Sequence, residues 1–216
     1  MKLFVFEHCP YCVRAMMLVG YKQLDIKIEV LANDDVESRI RMVGANMVPI
    51  LQKADGSFMG ESLDIVAYLD ALEGQPVLAP ARHEAAIQSW LKEAGAYSAP
   101  LLHPRNVRLG LKEYNSAAAI AWYTQNKSAA IGMSFDEAFA NSSELIAALN
   151  PLFTGLEFIP LPSARENRLG YDDILLYPTL RNLTAVKGLE FGDHVRRYIN
   201  EVTALTNVRL FDDIAI

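Results

Sequence analysis

The chain opens on a short run of β-forming residues, Lys2–Phe6, which predicts a strand. Behind it the period changes. Over Pro10–Leu24 the residues Val13, Met16, Met17 and Gly20 fall on one side of a helix. Ile26–Leu31 predicts a second strand. Asn33 and Asp34 are cap-type residues ahead of a helical segment, Val36–Val43, and Gly44 is a natural stop. Val48–Leu51 predicts a third strand that begins at Pro49, a place where a strand tolerates proline. Asp55-Gly56 is a hairpin signal leading to a fourth strand near Ser57–Met59. Ser62 reads as the N-cap of a helix over Leu63–Leu72, with Ile65, Val66 and Leu69 as its apolar stripe. The order βαβαββα implies a small mixed sheet with helices on its faces.

Gly74, Pro76 and Pro80 then break every periodicity, which places a linker at residues 73–81. Beyond it almost nothing alternates with period two. Glu84–Leu102 carries Ile87, Trp90, Leu91 and Ala94 at helical spacing, and Ser116–Ile131 is an Ala-rich helical stretch. Ser134 and Glu137 fit a capping box before Ala138–Leu149. Pro151, Pro160 and Pro162 mark a long loop, and Asp172–Val186 and Asp193–Leu205 predict two last helices. The expected organisation is therefore an α/β domain over residues 1–72 and an all-α domain over residues 82–216.

Composition narrows the function. Of 216 residues, 51% are hydrophobic and 21% charged, as in an ordinary globular protein with a sizeable core. A net charge of −6 argues against a nucleic-acid surface, which needs a basic face. No apolar run reaches the ~18 residues of a membrane-spanning helix. Met1–His8 turns polar too early for a signal peptide, so a cytoplasmic location is expected.

The chain has two cysteines, Cys9 and Cys12, in the motif His8-Cys9-Pro10-Tyr11-Cys12. The motif follows a predicted strand and opens a predicted helix. A helix start offers unpaired N–H groups and the positive end of the macrodipole. A sulfur placed there is stabilised as the thiolate, the form that attacks disulfides. Pro10 suits the first helical position, having no N–H to lose. Cys12, inside the first turn, can reach Cys9 but is less exposed. Cys9 is thus the expected nucleophile and Cys12 the resolving thiol. As a structural staple the pair would contribute only about 2 kcal/mol, because the loop it closes is so short. A metal site is not expected either: His8 would be a third ligand, but no second Cys pair exists and His83, His103 and His194 are scattered. His8 is read as a solvated loop residue. Trp90, Trp122, Tyr97 and the Met16/Met17 pair are read as packing residues, Arg39 and Arg41 as one charged helix face, and Asp172 and Asp173 as favouring a helix start.

Cys9-Pro10-Tyr11-Cys12 resembles the active site of dithiol glutaredoxins. Asn46-Met47-Val48-Pro49 resembles the stretch before the cis-proline of thioredoxin-like folds. Glu61-Ser62, followed by Leu63-Asp64-Ile65-Val66, looks like the glutathione-binding turn of glutathione transferases. The helical half, with Asp173 in Gly170-Tyr171-Asp172-Asp173-Ile174, is similar to the transferase C-terminal domain, although Gly170 stands where that motif would carry Ser or Thr. Over its whole length the chain resembles the bacterial glutaredoxins built on a transferase scaffold. The resemblance implies a thioredoxin-like fold and glutathione as co-substrate, with no tightly bound cofactor. It implies that the Val48 backbone pairs with the cysteinyl part of glutathione beside a cis Pro49. Ser62 and the helix start behind it would receive the γ-glutamyl carboxylate, and Glu61 its ammonium group. Glutathionylated or disulfide-containing proteins would be the partners, with no nucleic acid and no membrane. Two other readings stand beside this one. A conjugating glutathione transferase would activate glutathione's own thiol, with Tyr11 as a candidate. A non-enzymatic module would bind glutathione, or an iron–sulfur cluster through Cys9.

Overall fold

A computed structural model describes residues 1–216. Its sheet has four strands, β1 (Lys2–Val5), β2 (Lys27–Val30), β3 (Ile50–Gln52) and β4 (Phe58–Met59), in the spatial order β2-β1-β3-β4. β1 runs parallel to β2 and antiparallel to β3, with Leu3 opposite both Ile28 and Leu51. A parallel pair needs a crossover. Helix α1 (Pro10–Tyr21) supplies it. Helices α2 (Val36–Val43) and α3 (Ser62–Ala71) complete the expected order βαβαββα. α1 and α3 pack on each other. Their fully buried Val13, Met17, Leu18, Ile65, Val66 and Leu69 join Leu3, Val5, Ile50 and Leu51 in one core. The ammonium group of Lys22 donates to the carbonyls of Asp70 and Leu72, tying the end of α1 to the end of α3.

Several local expectations are corrected. Asp35, rather than Asn33 or Asp34, caps α2, accepting the Ser38 N–H at 3.1 Å. Gly44 does end that helix, in the left-handed conformation at φ 74°. β3 starts only after Pro49, and Ser62 is the first residue of α3 instead of its cap. Arg41 lies exposed on α2, but Arg39 does not share its face. It is 2% exposed, donates to the Asn46 side chain and to the carbonyls of Ala32 and Asn33, and packs over the Phe6 ring. A buried guanidinium is tolerable there because neutral oxygens take its N–H groups.

The first compact unit contains Met1–Pro76 together with two later segments, Gly110–Tyr123 and Thr206–Val208. Residues 110–123 are stitched in by backbone bonds. The Asn33 N–H donates to the Glu113 carbonyl at 2.9 Å, and the Lys112 N–H donates to the Glu7 carboxylate at 2.8 Å. Thr206 meets α1 at Gly20, where a Cβ would lie 1.7 Å from the Thr206 carbonyl oxygen.

The second unit, Val77–Leu109, Thr124–Leu205 and Arg209–Ile216, is helical. It holds α4 (Glu84–Asn106), most of α5 (Ala117–Ile131), α6 (Phe135–Ala140), α7 (Ser142–Leu149), α8 (Tyr171–Leu183) and α9 (Gly192–Thr206). α4 packs against α6, α7 and α8. It runs past the expected end at Leu102, through Pro100 and Pro104. The Ser134–Glu137 capping box forms, but the helix behind it breaks into α6 and α7. The expected long loop after Pro151 instead contains short 3-10 turns that bury Phe153 and Leu156 near Trp90, whose indole N–H donates to the Leu152 carbonyl. Trp122 is 41% exposed and does not join a core. Asp172 and Asp173 act structurally, as expected. Asp173 accepts the Gly170 N–H, two bonds from Arg165 and the Tyr198 hydroxyl. Glycine at 170 has a steric cause: a Cβ there would stand 2.9 Å from the Ala79 carbonyl oxygen, which accepts the Tyr171 N–H.

Two helical glycines give opposite expectations. Gly20→Ala must push backbone apart at Thr206 and is expected to cost at least ~1–3 kcal/mol, as overpacking does. Gly95→Ala in α4 meets open space. It should be neutral or stabilising by up to about 1 kcal/mol. Denaturant melts of the two variants check the pair; equal stabilities would refute the close approach at Gly20.

Candidate active site

Cys9 is the N-cap of α1, with extended backbone at φ −76° and ψ 118°, and Pro10 takes the first helical position. The Cys9 carbonyl accepts the Val13 N–H, the first bond of the helix. An N-cap side chain ordinarily offers an oxygen to the N–H groups of the first turn. Here a sulfur holds that place. It makes no capping hydrogen bond, but the nearby Cys12 thiol and the backbone N–H groups of Cys12 and Tyr11 favour its thiolate. The Cys12 thiol is the largest influence. Burial opposes it, but the charge of His8 and the two N–H groups tip the balance, so the Cys9 thiol is pulled down to about 6. Cys12 goes the other way. Burial pushes it well above the ordinary thiol value, and the sulfur of Cys9 and the carboxylate of Glu113 add to that. The one polar group that helps it is the Phe6 N–H, 3.4 Å from its sulfur. Both cysteines are free thiols; Cys9 is half-buried and Cys12 fully buried.

His8 is not the solvated loop residue expected. Its side chain is 11% exposed. The ring stacks on Phe6 and Tyr114 and meets the edge of Tyr123. Nδ1 lies 2.6 Å from Glu113 Oε1, and the His8 backbone N–H donates to the same oxygen at 3.0 Å. Burial alone would raise the Glu113 carboxyl. The His8 ring bond, the His8 charge and the His8 N–H outweigh it and hold the group below the usual carboxylate range. Burial, with Tyr123 and Glu113, pushes the Tyr114 hydroxyl up, so it stays neutral.

On the other side of the motif stands Arg14. Its guanidinium packs over the Tyr11 ring at 4.8 Å and donates to Ser62 Oγ at 3.2 Å. Burial lowers its basicity, and the charges of Tyr11 and Cys9 partly restore it. Ser62 is 7% exposed at the first turn of α3, with exposed Glu61 before it at φ 60° and ψ 111°. Left-handed backbone at a non-glycine residue marks stored strain, a frequent property of ligand-binding turns. The Val48–Pro49 peptide bond is cis. Because Phe4 pairs with Ile50, Pro49 lies beside the end of β1 from which the chain runs into Cys9. Tyr11, Arg14 and Ser62 are thus brought together, while Val48 and Pro49 approach along the sheet. Sequence reasoning missed Arg14 and Glu113. Arg14 had a weak signal, as a basic residue on the motif's own helix. Glu113 had none, lying 105 positions from its partner. No group of three or more His, Cys, Asp or Glu side chains is placed to share a metal ion.

The reduced protein is expected to titrate one thiol near pH 6 and none other below the ordinary cysteine range. Cys12→Ala removes the largest influence on Cys9, so its midpoint should rise. The pH dependence of thiolate absorbance measures both, and a Cys9 midpoint that ignores Cys12 would contradict the geometry.

Known proteins resemble this chain in sequence and fold. Residues 3–77 match the model of the glutathione S-transferase N-terminal domain, and residues 86–215 match that of the glutaredoxin 2 C-terminal domain. Glutaredoxin 2 of Escherichia coli K12 is 39% identical over 217 residues, covering 100% of both chains. The crystal structure of glutaredoxin 2 from Salmonella typhimurium in complex with glutathione superposes with a TM-score of 0.93 at 38% identity, over 100% of this chain and 98% of that one. A glutathione S-transferase of Ceriporiopsis subvermispora, with a TM-score of 0.75 at 11% identity over 97% of each chain, shares the fold. By sequence over its full length, and by its C-terminal domain in particular, the chain belongs to the glutaredoxin 2 family.

Proposed function

We propose that the chain is a glutathione-dependent thiol–disulfide oxidoreductase in which Cys9 is the nucleophile and Cys12 the resolving thiol. The observation that carries this reading is the half-buried Cys9 sulfur at the cap of α1, pulled down to about 6. At neutral pH it is mostly thiolate, whereas Cys12 keeps its proton. The Cys9 thiolate attacks the glutathionyl sulfur of a mixed disulfide. A Cys9–glutathione disulfide forms, and the substrate sulfur leaves as a thiolate and takes a proton from water. A second glutathione, as thiolate, attacks the glutathionyl sulfur. Glutathione disulfide departs and the Cys9 thiolate is restored.

A protein disulfide needs one step more. Attack by Cys9 leaves the substrate joined to Cys9, and Cys12 then attacks the Cys9 sulfur, losing its proton and releasing the substrate thiol. Cys12 is held protonated partly by the charge on Cys9. That charge vanishes once Cys9 is in a disulfide, so Cys12 becomes easier to deprotonate when it is needed. Two glutathiones then reduce the Cys9–Cys12 disulfide and leave as glutathione disulfide.

The glutathione seat comprises the Val48 backbone beside Pro49, and Glu61 and Ser62 at the start of α3. Pro10 and the exposed Tyr11, expected in an active-site loop, belong to the first turn of α1 and face the substrate from there. The N-terminus of α3 suits a carboxylate. The relative from Salmonella typhimurium is in complex with glutathione, which supports a seat of this kind. Glutathionylated and disulfide-containing proteins are the proposed partners, and the reducing cytoplasm the proposed location. No helix is long and apolar enough to cross a membrane.

Cys9→Ser should abolish reduction of glutathione mixed disulfides. Cys12→Ser should retain it but lose most reduction of protein disulfides. Ser62→Ala should raise the KM for glutathione about three- to tenfold, the effect of one lost hydrogen bond. If both cysteine variants keep full activity and the protein conjugates electrophiles to glutathione, the transferase reading replaces this one.

A further inference from the structure

Glu113 is fully buried and lies far along the chain from the redox motif, yet it reaches the residue before Cys9. Its Oε1 accepts two bonds from one residue, the ring Nδ1–H and the backbone N–H of His8. Its Oε2 has no hydrogen-bond partner. A buried carboxylate without a counter-charge is costly. The group bonded to this one is the His8 ring, 2.6 Å away, and the two form a buried ion pair when the imidazole carries its second proton. The two-point hold also fixes the His8 ring relative to its own backbone. Phe6, Tyr114 and Tyr123 wall the ring on its faces and edge.

The pair acts with opposite sense on the two thiols. The His8 charge favours the thiolate at Cys9, while the Glu113 charge disfavours one at Cys12. The other charged or titratable groups facing these atoms are few. Arg14 of α1 faces Cys9, Arg39 of α2 lies over Phe6, and Tyr114 and Tyr123 are hydroxyls against His8.

We propose that Glu113 is a positioning residue of the disulfide-exchange site: it clamps the ring of His8, the residue before Cys9, in the place from which its charge favours the Cys9 thiolate, and its own negative charge adds to what disfavours a thiolate at Cys12. Residues 110–123, which come from the helical half of the sequence, thereby contribute to the redox chemistry of the first unit. The inference rests on the reading of Cys9 as nucleophile. It predicts that Glu113 contributes to the difference in acidity between the two cysteines.

The test is the pH dependence of iodoacetamide alkylation in the full-length reduced protein, with the modified cysteine mapped by mass spectrometry. Glu113→Gln removes the charge at nearly constant shape. The Cys9 midpoint should rise by roughly half to one pH unit. Below the midpoint the rate should fall about three- to tenfold, and above pH ~9 it should return to the wild-type rate. A residue that only held the fold would not restore the rate at high pH. Glu113→Asp, which keeps the charge, should recover part of the shift. His8→Phe should raise the midpoint similarly, and adding Glu113→Gln to it should shift the midpoint little further. If Glu113→Gln does not fold, His8→Phe with Glu113→Leu removes both charges without stranding either, and the same upward shift is expected. A midpoint unmoved in folded variants, or a rate lowered equally at every pH, overturns the role of Glu113 while leaving Cys9 as nucleophile. A wild-type Cys9 with no depressed midpoint overturns both.

Discussion

A helix must begin somewhere, and its first N–H groups must find acceptors. In this chain the side chain at the cap of α1 is a sulfur, which makes no capping hydrogen bond and is left facing those N–H groups as a reactive thiol. The first unit is organised around that placement of a sulfur where a capping oxygen usually stands. β1 delivers the chain to the cap, Pro10 sets the first helical turn, and the buried side of α1 anchors it against α3. Gly20 lets the same helix lie against the Thr206 carbonyl, which holds its far end. The cap is thus on a rigid element, and the N–H groups aimed at Cys9 are fixed before any substrate arrives.

The two cysteines share one turn of helix yet differ in chemistry because their surroundings differ in sign. The surroundings of Cys9, N–H groups and the charge of His8, favour its thiolate; Cys12 is sealed in the core, where burial and the Glu113 carboxylate disfavour one. The coupling between them is mutual. Each state of Cys9 alters the readiness of Cys12, which orders attack and resolution in time. The left-handed backbone at Glu61 and the Ser62 turn are supported by α3, itself locked to α1, so the proposed glutathione seat and the sulfur belong to one packed core.

Much of this was legible in the sequence wherever the cause is local. The order βαβαββα, the cap position of the motif, the stop at Gly44 and the Ser134–Glu137 capping box each depend on a few adjacent residues. What escaped depends on residues that meet only through the fold. Arg39 looks like a surface helix residue until the carbonyls of Ala32 and Asn33 are seen turned toward it. His8 reads as a loop residue because Glu113 and Tyr114 lie more than a hundred positions away. Ser62 has the composition of a cap, but Glu61 takes the left-handed backbone and moves the helix start back by one residue. Trp122 reads as a packing residue by type alone, but its exposure depends on which face of α5 is covered. Gly170 departs from the expected Ser or Thr because a backbone carbonyl of Ala79 occupies the space of a side chain.

The central claim is that the Cys9 sulfur takes the glutathionyl group. The most direct measurement is acid quenching of the wild-type protein during turnover with a glutathionylated peptide, followed by fragmentation of the adduct in a mass spectrometer. Glutathione on Cys9, with none on Cys12, is the predicted result. Glutathione on Cys12, or turnover with no adduct on either cysteine, would contradict the account.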